Sequence, residues 1–199
     1  MANNKSFFSD HRSIRRKSEA NDSNRAFRIN NRMIGLEMQQ LYLEDIKVGD
    51  KWISRTETIS IEEIKEFAAS YDPQPYHMDE TRAKDTFFGQ LVASGWQTAG
   101  ITMRLMVESI PMASGLIGAS AQIKWPTPTY PNDTLRIEAE VIEVKESKSK
   151  SDRGIVTVEV KTLNQHNEVV QLFICNMLTL SRSSGIPPLN NERLLGNQK

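Results

Sequence analysis

Long apolar segments broken by turn residues recur in the second half of the chain, a pattern typical of strands. β-Branched residues are frequent in four such segments, which are separated by prolines or polar turn residues. Consecutive strands joined by short connections favour an antiparallel meander. The predicted strands span 120–125, 133–147, 154–164 and 168–180.

The first half of the chain predicts one strand followed by helices. Residues 51–60 alternate well enough for a half-exposed strand, and residues 61–71 place their apolar side chains on one helical face. Ser60 and Glu63 have the spacing of a capping box at the start of this helix. Pro73 requires the helix to end just before it, because the residue preceding a proline is disfavoured in the helical conformation.

The longest predicted helix, over 91–110, follows a short one over 81–88 and ends before Pro111. Its apolar residues occupy most of its faces, which indicates a buried helix rather than a surface helix. Such a helix has to be covered, and the predicted strands are the elements available to cover it. The sequence therefore predicts an α+β fold in which a curved antiparallel sheet wraps one long central helix.

Composition changes at both ends of this predicted domain, which spans 37–183. Residues 1–36 are rich in Asn, Ser and Arg without sustained periodicity, and are predicted to be a disordered basic tail. Eight basic and three acidic residues give 1–35 a net charge of +5, although the whole chain is neutral. A transit peptide, or an arm for nucleic acid or an anionic membrane, is the alternative, but we expect no nucleic-acid or membrane partner. Residues 184–199 are a polar C-terminal tail.

A single cysteine, Cys175, excludes an internal disulfide and fits a reducing compartment. It lies in an apolar strand with no evident partner base, so we interpret it as a small buried hydrophobe. No apolar run approaches the roughly eighteen residues of a membrane-spanning helix, and no early apolar segment indicates export. A chain of 199 residues with these properties is expected to be one cytoplasmic domain.

The segment Asp72-Pro-Gln-Pro-Tyr-His77 holds an acid and an imidazole close together, with two prolines between them. Each proline fixes a φ angle, so both side chains are expected to have little backbone freedom. A carboxylate and an imidazole placed in this way can share one water molecule and act on it in general acid–base catalysis. Because their titration would be coupled, the proton is not assigned to either residue.

Gly95 stands at the start of the long apolar helix. There its backbone N–H has no intrahelical acceptor and the helix dipole is positive, which suits an oxygen that gains negative charge. The absence of a Cβ allows a substrate to approach closely. The alternative interpretation is a glycine required only for tight packing at the helix entrance.

These residues and their order resemble the MaoC-like family of (R)-specific enoyl-thioester hydratases. The Asp72-to-His77 segment is similar to the family's Asp-x-Asn-Pro-x-His loop, and 91–95 to the Ile-Ala-His-Gly-type entry to its central helix. Residues 43–52 resemble the family's opening strand, and 124–137 its aromatic-x-x-Pro…Gly-Asp-x-Leu strand turn. The resemblance covers about 41–182. Further matching positions are Ala83 and either Phe87 or Phe88.

The resemblance implies a hot-dog fold and a homodimer or higher homo-oligomer, with an acyl-thioester substrate at the subunit interface. It implies that Asp72 and His77 activate the water that adds to C3 of a trans-2-enoyl thioester, or act in the reverse dehydration. The Gly95 amide would hold the thioester oxygen, and coenzyme A or an acyl carrier protein would carry the acyl group. No metal or other cofactor is implied, because the thioester itself stabilises the developing charge.

Several positions depart from the family pattern. Gln74 replaces an Asn and Ser94 replaces a His, while Trp96 and Gln97 replace aliphatic residues and Met103 replaces a serine. Gln74, Ser94 and Trp96 are the predicted substrate-binding residues. A bulky Trp96 at the pocket predicts a preference for short or unusual acyl groups, and a core position for this side chain is the alternative.

Two other functions remain open on the same scaffold. A non-catalytic acyl-thioester-binding protein would use Asp72 as a helix cap and His77 as a turn residue. A hot-dog thioesterase would take its acid from the central helix, where the sequence offers only Glu108, near the far end.

Overall fold

The computed structural model describes residues 28–29 and 40–189, which form a mainly antiparallel sheet packed against one long helix. Among these residues the strands are Arg28–Ile29 (β1), Lys51–Ile53 (β2), Glu57–Thr58 (β3), Ile117–Lys124 (β4), Thr134–Glu146 (β5), Arg153–Leu163 (β6) and Val169–Leu180 (β7). They lie in the order β1-β2-β5-β6-β7-β4, and β3 also pairs with β5.

The strands β5, β6 and β7 form the predicted antiparallel meander. In its centre Val158 of β6 lies opposite Val141 of β5 and Cys175 of β7. The prediction that β4 belongs to the same meander is wrong, because β4 pairs antiparallel with β7 and not with its successor β5. The two edges of β5 are already taken, one by β6 and the other by β2 and β3, so β4 pairs at the far edge of the sheet.

The helices of the described region are Ile61–Tyr71 (α1), Pro75–Met78 (α2), Glu80–Ala83 (α3) and Gly95–Ser109 (α4). The capping box predicted for α1 is confirmed. The Ser60 hydroxyl accepts from the Glu63 N–H at 3.1 Å, and the Glu63 carboxylate accepts from the Ser60 N–H at 2.7 Å. The long helix α4 is the predicted central helix.

The predicted start of α4 at residue 91 is wrong, since the helix begins at Gly95. The Ser94 side chain accepts a hydrogen bond from the Trp96 N–H at 3.2 Å, and this cap defines the first turn. Residues 91–94 are buried but extended or irregular.

Two other predicted elements are shorter than expected. The helix predicted over 81–88 ends at Ala83, where the Thr86 hydroxyl donates to the Ala83 carbonyl at 2.7 Å and competes with helical bonding. The strand predicted over 51–60 divides into β2 and β3.

One face of α4 packs on the sheet and closes the main core. Leu105 and Met106 on this face are fully buried against residues of β5, β6 and β7. Nearer its N-terminus the same face is polar, and Thr102 Oγ1 lies 2.6 Å from Thr162 Oγ1 of β6.

Another face of α4 exposes apolar side chains. Trp96 is 62 % exposed, Met103 40 % and Val107 37 %. The prediction that apolar faces bury this helix on most sides is therefore wrong for a single chain, because the sheet covers only part of it. The edge strand β4 is also exposed along nearly all its length.

Both predicted tails lie largely outside the described residues, namely 1–27, 30–36 and 190–199. Within the N-terminal tail, Arg28–Ile29 pairs in parallel with β2. The described C-terminal stretch ends at Leu189, whose N–H donates to the Ala113 carbonyl at 2.8 Å. None of the helices in the described ranges has the length and apolarity required to span a membrane.

Candidate active site

The segment between α1 and α2 brings the predicted acid and imidazole together. Asp72 ends α1 with φ −150° and ψ 67°, and its N–H donates to the Ala68 carbonyl at 2.9 Å. Pro75 stands in the first turn of α2, so His77 lies in a helical turn rather than in the loop expected from the sequence. Pro73 stops one helix and Pro75 starts the next, which fixes the direction of both side chains.

The Asp72 carboxylate and the His77 imidazole are in contact. Asp72 Oδ2 lies 3.3 Å from His77 Nε2, and the two side chains are 19 % and 6 % exposed. The other ring nitrogen, Nδ1, lies 2.7 Å from the Val92 carbonyl oxygen and therefore donates to it. The contact between Nε2 and the carboxylate requires a proton between the two atoms, because both otherwise accept and 3.3 Å leaves no room for a water molecule.

Uncharged side chains hold the Asp72 carboxylate. The Ser94 hydroxyl donates to Oδ2 at 2.7 Å and the Gln74 amide donates to Oδ1 at 2.7 Å, while the Tyr76 hydroxyl donates to Gln74 Oε1. Burial raises the pKa of Asp72, but the bonds from Ser94 and Gln74 and the neighbouring His77 outweigh it and leave this pKa below its usual value. Direct contact of Gln74 and Ser94 with a substrate stays a prediction.

The Gly95 amide lies beside this pair. Gly95 is the first residue of α4, and its N–H donates to no other described residue. It is half-buried at the positive end of the helix dipole. The preceding residue, Ser94, touches Asp72, so the free amide and the acid–base pair belong to one site.

Trp125 covers Gly95 on the side where a Cβ would stand. A Cβ built at position 95 would lie 2.8 Å from Cε2 of the Trp125 ring, so the glycine is required for packing as well. The Trp125 Nε1–H donates to Gln171 Oε1 at 2.8 Å, and the ring packs edge-to-face on Trp96 with 5.4 Å between centroids. In the sequence, Trp125 is recognisable only as the aromatic residue of the 124–137 motif.

A chain of aromatic rings supports the imidazole. Tyr76 packs edge-on against His77 with 4.5 Å between ring centroids, and Phe88 packs against Tyr76 at 5.0 Å. Phe88 is thus the residue of the Phe87–Phe88 pair that reaches the site, whereas Phe87 is 96 % exposed.

An apolar pocket of about 270 Å³ lies between α4 and the strands β4 and β7. Its walls include Met103 and Met106 of the helix and Phe173 and Cys175 of β7. Burial raises the pKa of the Cys175 thiol to about 11, so the thiol is neutral. The interpretation of Cys175 as a buried hydrophobe is confirmed.

The far end of α4 carries Glu108, the acid considered for a thioesterase. Its carboxylate lies 2.7 Å from Arg55 and 3.2 Å from Arg104. Burial raises the pKa of Glu108, but the hydrogen bond and charge of Arg55, followed by those of Arg104, outweigh it and lower this pKa. A carboxylate held by two guanidinium groups is a weak base, which disfavours the thioesterase interpretation.

The chain is similar to proteins of one family. Residues 46–164 match the family model described as MaoC like domain. The (R)-specific enoyl-CoA hydratase of Rhodospirillum rubrum is 31 % identical over 133 residues, which are 66 % of this chain and 91 % of that relative. The 3-hydroxybutyryl-CoA dehydratase of Methylorubrum extorquens is 29 % identical over 108 residues, which are 54 % of this chain and 68 % of that relative.

A solved structure shows the same architecture. The crystal structure of the MaoC-like dehydratase from Rhodospirillum rubrum superimposes with a TM-score of 0.70 and 48 % sequence identity, over 71 % of this chain and 98 % of that one. The predicted hot-dog fold is confirmed.

Proposed function

Because the chain belongs to the MaoC-like dehydratase family, we propose that it adds water reversibly to a trans-2-enoyl thioester of coenzyme A or an acyl carrier protein. The observation that carries this proposal is the contact between Asp72 and His77, 3.3 Å apart, beside the free Gly95 amide. A proton-transfer pair and an oxyanion donor are the two components that this reaction requires.

In the hydration direction, Asp72 and His77 bind one water molecule and take a proton from it while its oxygen attacks C3. The electrons of the C2–C3 double bond move towards the thioester carbonyl, whose oxygen gains negative charge and accepts from the Gly95 N–H. The enolate-like intermediate then takes the proton back at C2. Both parts of the water molecule are thereby transferred, so no metal or redox cofactor is required.

The apolar pocket beside α4 is the proposed site of the acyl chain. Its volume of about 270 Å³ and its methionine walls fit a short or medium apolar chain. The Trp125 ring packs on Gly95 and Trp96 packs edge-to-face on Trp125, so these two rings limit the space beside the Gly95 amide.

A second copy of the chain is the proposed cover for this pocket. Met103 and Val107 of α4 and Ile117 of β4 are each more than one third exposed, and β4 lies at the end of the strand order among the described residues. An exposed apolar edge of this kind is a template for pairing with another chain. We therefore expect a homodimer with the substrate between the two subunits.

The experiment that tests the function is an assay of crotonyl-CoA hydration, followed by the loss of enoyl absorbance. We expect activity in the wild type and a loss of about 10²-fold or more in Asp72→Asn and His77→Ala, because each removes one acid–base group. Unchanged rates in both variants would remove the pair from the mechanism.

Tight binding without turnover would indicate a non-catalytic thioester-binding protein, and release of free coenzyme A from a saturated acyl-CoA would indicate a thioesterase.

A further inference from the structure

The Ser94 hydroxyl connects two parts of the site that come from distant parts of the chain. It donates to Asp72 Oδ2 at 2.7 Å and accepts from the Trp96 N–H at 3.2 Å. Ser94 is fully buried, so water does not compete for either bond. One side chain thus caps α4 and holds the carboxylate that follows α1.

We propose that Ser94 is a positioning residue that fixes the Asp72 carboxylate relative to the first turn of α4, and thereby relative to the Gly95 amide. This inference rests on the proposed function and deepens it. A serine stands here in place of the histidine that the family resemblance gives at this position.

The direction of the two bonds supports this role. A hydroxyl has one hydrogen, and in Ser94 that hydrogen is donated to Asp72, which leaves a lone pair to accept from Trp96. Each bond polarises the other, so the positive end of α4 acts on the carboxylate through the hydroxyl. Ser94 therefore favours the ionised form of Asp72, the form that can accept a proton from water.

The groups that face the Asp72 carboxylate come from two elements, α2 and α4. At α2, His77 contacts Oδ2 and the N-cap residue Gln74 donates to Oδ1. The Tyr76 hydroxyl donates to Gln74 and does not contact the carboxylate directly. From α4, Ser94 and the helix N-terminus face it. Within the described residues, α1 contributes no charged side chain in bonding contact with this carboxylate. Among the described residues, His77 is therefore the one ionisable side chain in direct contact with Asp72.

The test compares Ser94→Ala, Ser94→Gly and Ser94→Thr. Alanine removes both the cap and the bond to Asp72, whereas glycine is tolerated at an N-cap and removes chiefly the bond to Asp72. Threonine keeps the hydroxyl. The matched control is Ser109→Ala, a buried serine of the same helix whose hydroxyl donates only to the Leu105 carbonyl, at 2.6 Å.

We expect kcat/KM for crotonyl-CoA to fall about tenfold in both Ser94→Ala and Ser94→Gly, because a hydrogen bond to a charged group is lost. The acid limb of the pH profile moves to higher pH, since the pKa of Asp72 rises, and kcat falls more than KM changes. Ser94→Thr retains most of the activity, and Ser109→Ala has the wild-type profile. A merely structural role would lower the melting temperature without moving the acid limb.

A ¹³C NMR titration of the Asp72 carboxyl separates this inference from the proposed function. If the wild type does not hydrate enoyl thioesters, the proposed function fails, but the titration still measures whether Ser94 controls the carboxylate. An Asp72 carboxyl that titrates identically in the wild type, Ser94→Ala and Ser94→Gly would overturn the inference. An upward shift in both variants, absent from Ser109→Ala, would support it.

Discussion

The two ends of α4 each hold a partly buried carboxylate, but they hold it with different partners. At the N-terminal end, Asp72 accepts from a hydroxyl and an amide and contacts one imidazole. At the C-terminal end, Glu108 lies between the guanidinium groups of Arg55 and Arg104. Both pKa values lie below their usual range, but the causes differ.

On the proposed function, this difference suits Asp72 to proton transfer and Glu108 to a structural role. The permanent positive charges of Arg55 and Arg104 keep Glu108 ionised and occupy its oxygens. Glu108 is therefore a weak proton acceptor. Neutral donors orient Asp72 without neutralising it, and His77 can exchange a proton with it or with a shared water molecule. The presence of a carboxylate on or near the central helix is therefore a weaker guide to chemistry than the charge of its partners.

The largest expected contrast is in the reaction rate. Asp72→Asn is expected to lower crotonyl-CoA hydration about 10²-fold or more, whereas Glu108→Gln leaves it near the wild-type value. Both changes replace a carboxylate with an amide of nearly the same size. Equal losses in the two variants, measured at the same enoyl-CoA concentrations, would mean that the two ends of the helix do not differ in this way.

Two glycines of α4 give the next contrast. Gly95→Ala is expected to destabilise the fold by about 1–3 kcal/mol and to lower activity, because the new Cβ would collide with Trp125. A Cβ added at Gly100 has no neighbouring atom within 4 Å, so Gly100→Ala is expected to stabilise the fold by about 0.5–1 kcal/mol. Thermal denaturation of the two variants measures whether the first loses stability and the second gains it. A stable and active Gly95→Ala would show that the helix entrance is not tightly packed.

The pH dependence of stability gives a smaller signal from Asp72. Because its pKa is lowered in the folded state, its contribution to stability is present above the ordinary value of 3.8 and is lost as pH falls through the folded pKa. Below about pH 4 the wild type should therefore lose stability faster than Asp72→Asn, which has no carboxylate to protonate at this position. Melting curves recorded from pH 7 down to pH 3 measure this, and parallel losses in the two proteins would contradict it.

The smallest expected effect is at the far end of the helix. The side chains of Arg55 and Glu108 are 42 % and 27 % exposed, so Arg55→Gln should cost no more than about 1 kcal/mol, and added salt should reduce this cost. Urea denaturation at low and high salt concentration measures it. A large effect that salt does not change would indicate that this network is more deeply coupled to the core.

Local patterns predict much of this site. The proline spacing indicates that Asp72 and His77 approach each other, and the start of the apolar helix indicates a free amide at Gly95. Both features depend on a few neighbouring residues, and the structure brings those groups together.

Long-range contacts are the part that the sequence could not predict. Ser94 and Asp72 are 22 positions apart, and Trp125 and Gln171 are 46 apart, so no periodicity links them. The pairing of β4 with β7 likewise depends on which sheet edges are already occupied. Exposure of Met103 and Val107 depends on how far the sheet reaches around the helix, which hydrophobicity alone does not report.

The edge-to-face pair of Trp96 and Trp125 also makes the site visible to spectroscopy. Two of the three tryptophans stand at the Gly95 amide, both are substantially exposed, and the third, Trp52, is 4 % exposed in the core. An acyl group that reaches the amide would displace solvent from these two indoles and leave the emission of Trp52 unchanged. Intrinsic fluorescence therefore reports occupancy of the site without a label, and Trp52 provides a constant background against which the change can be read.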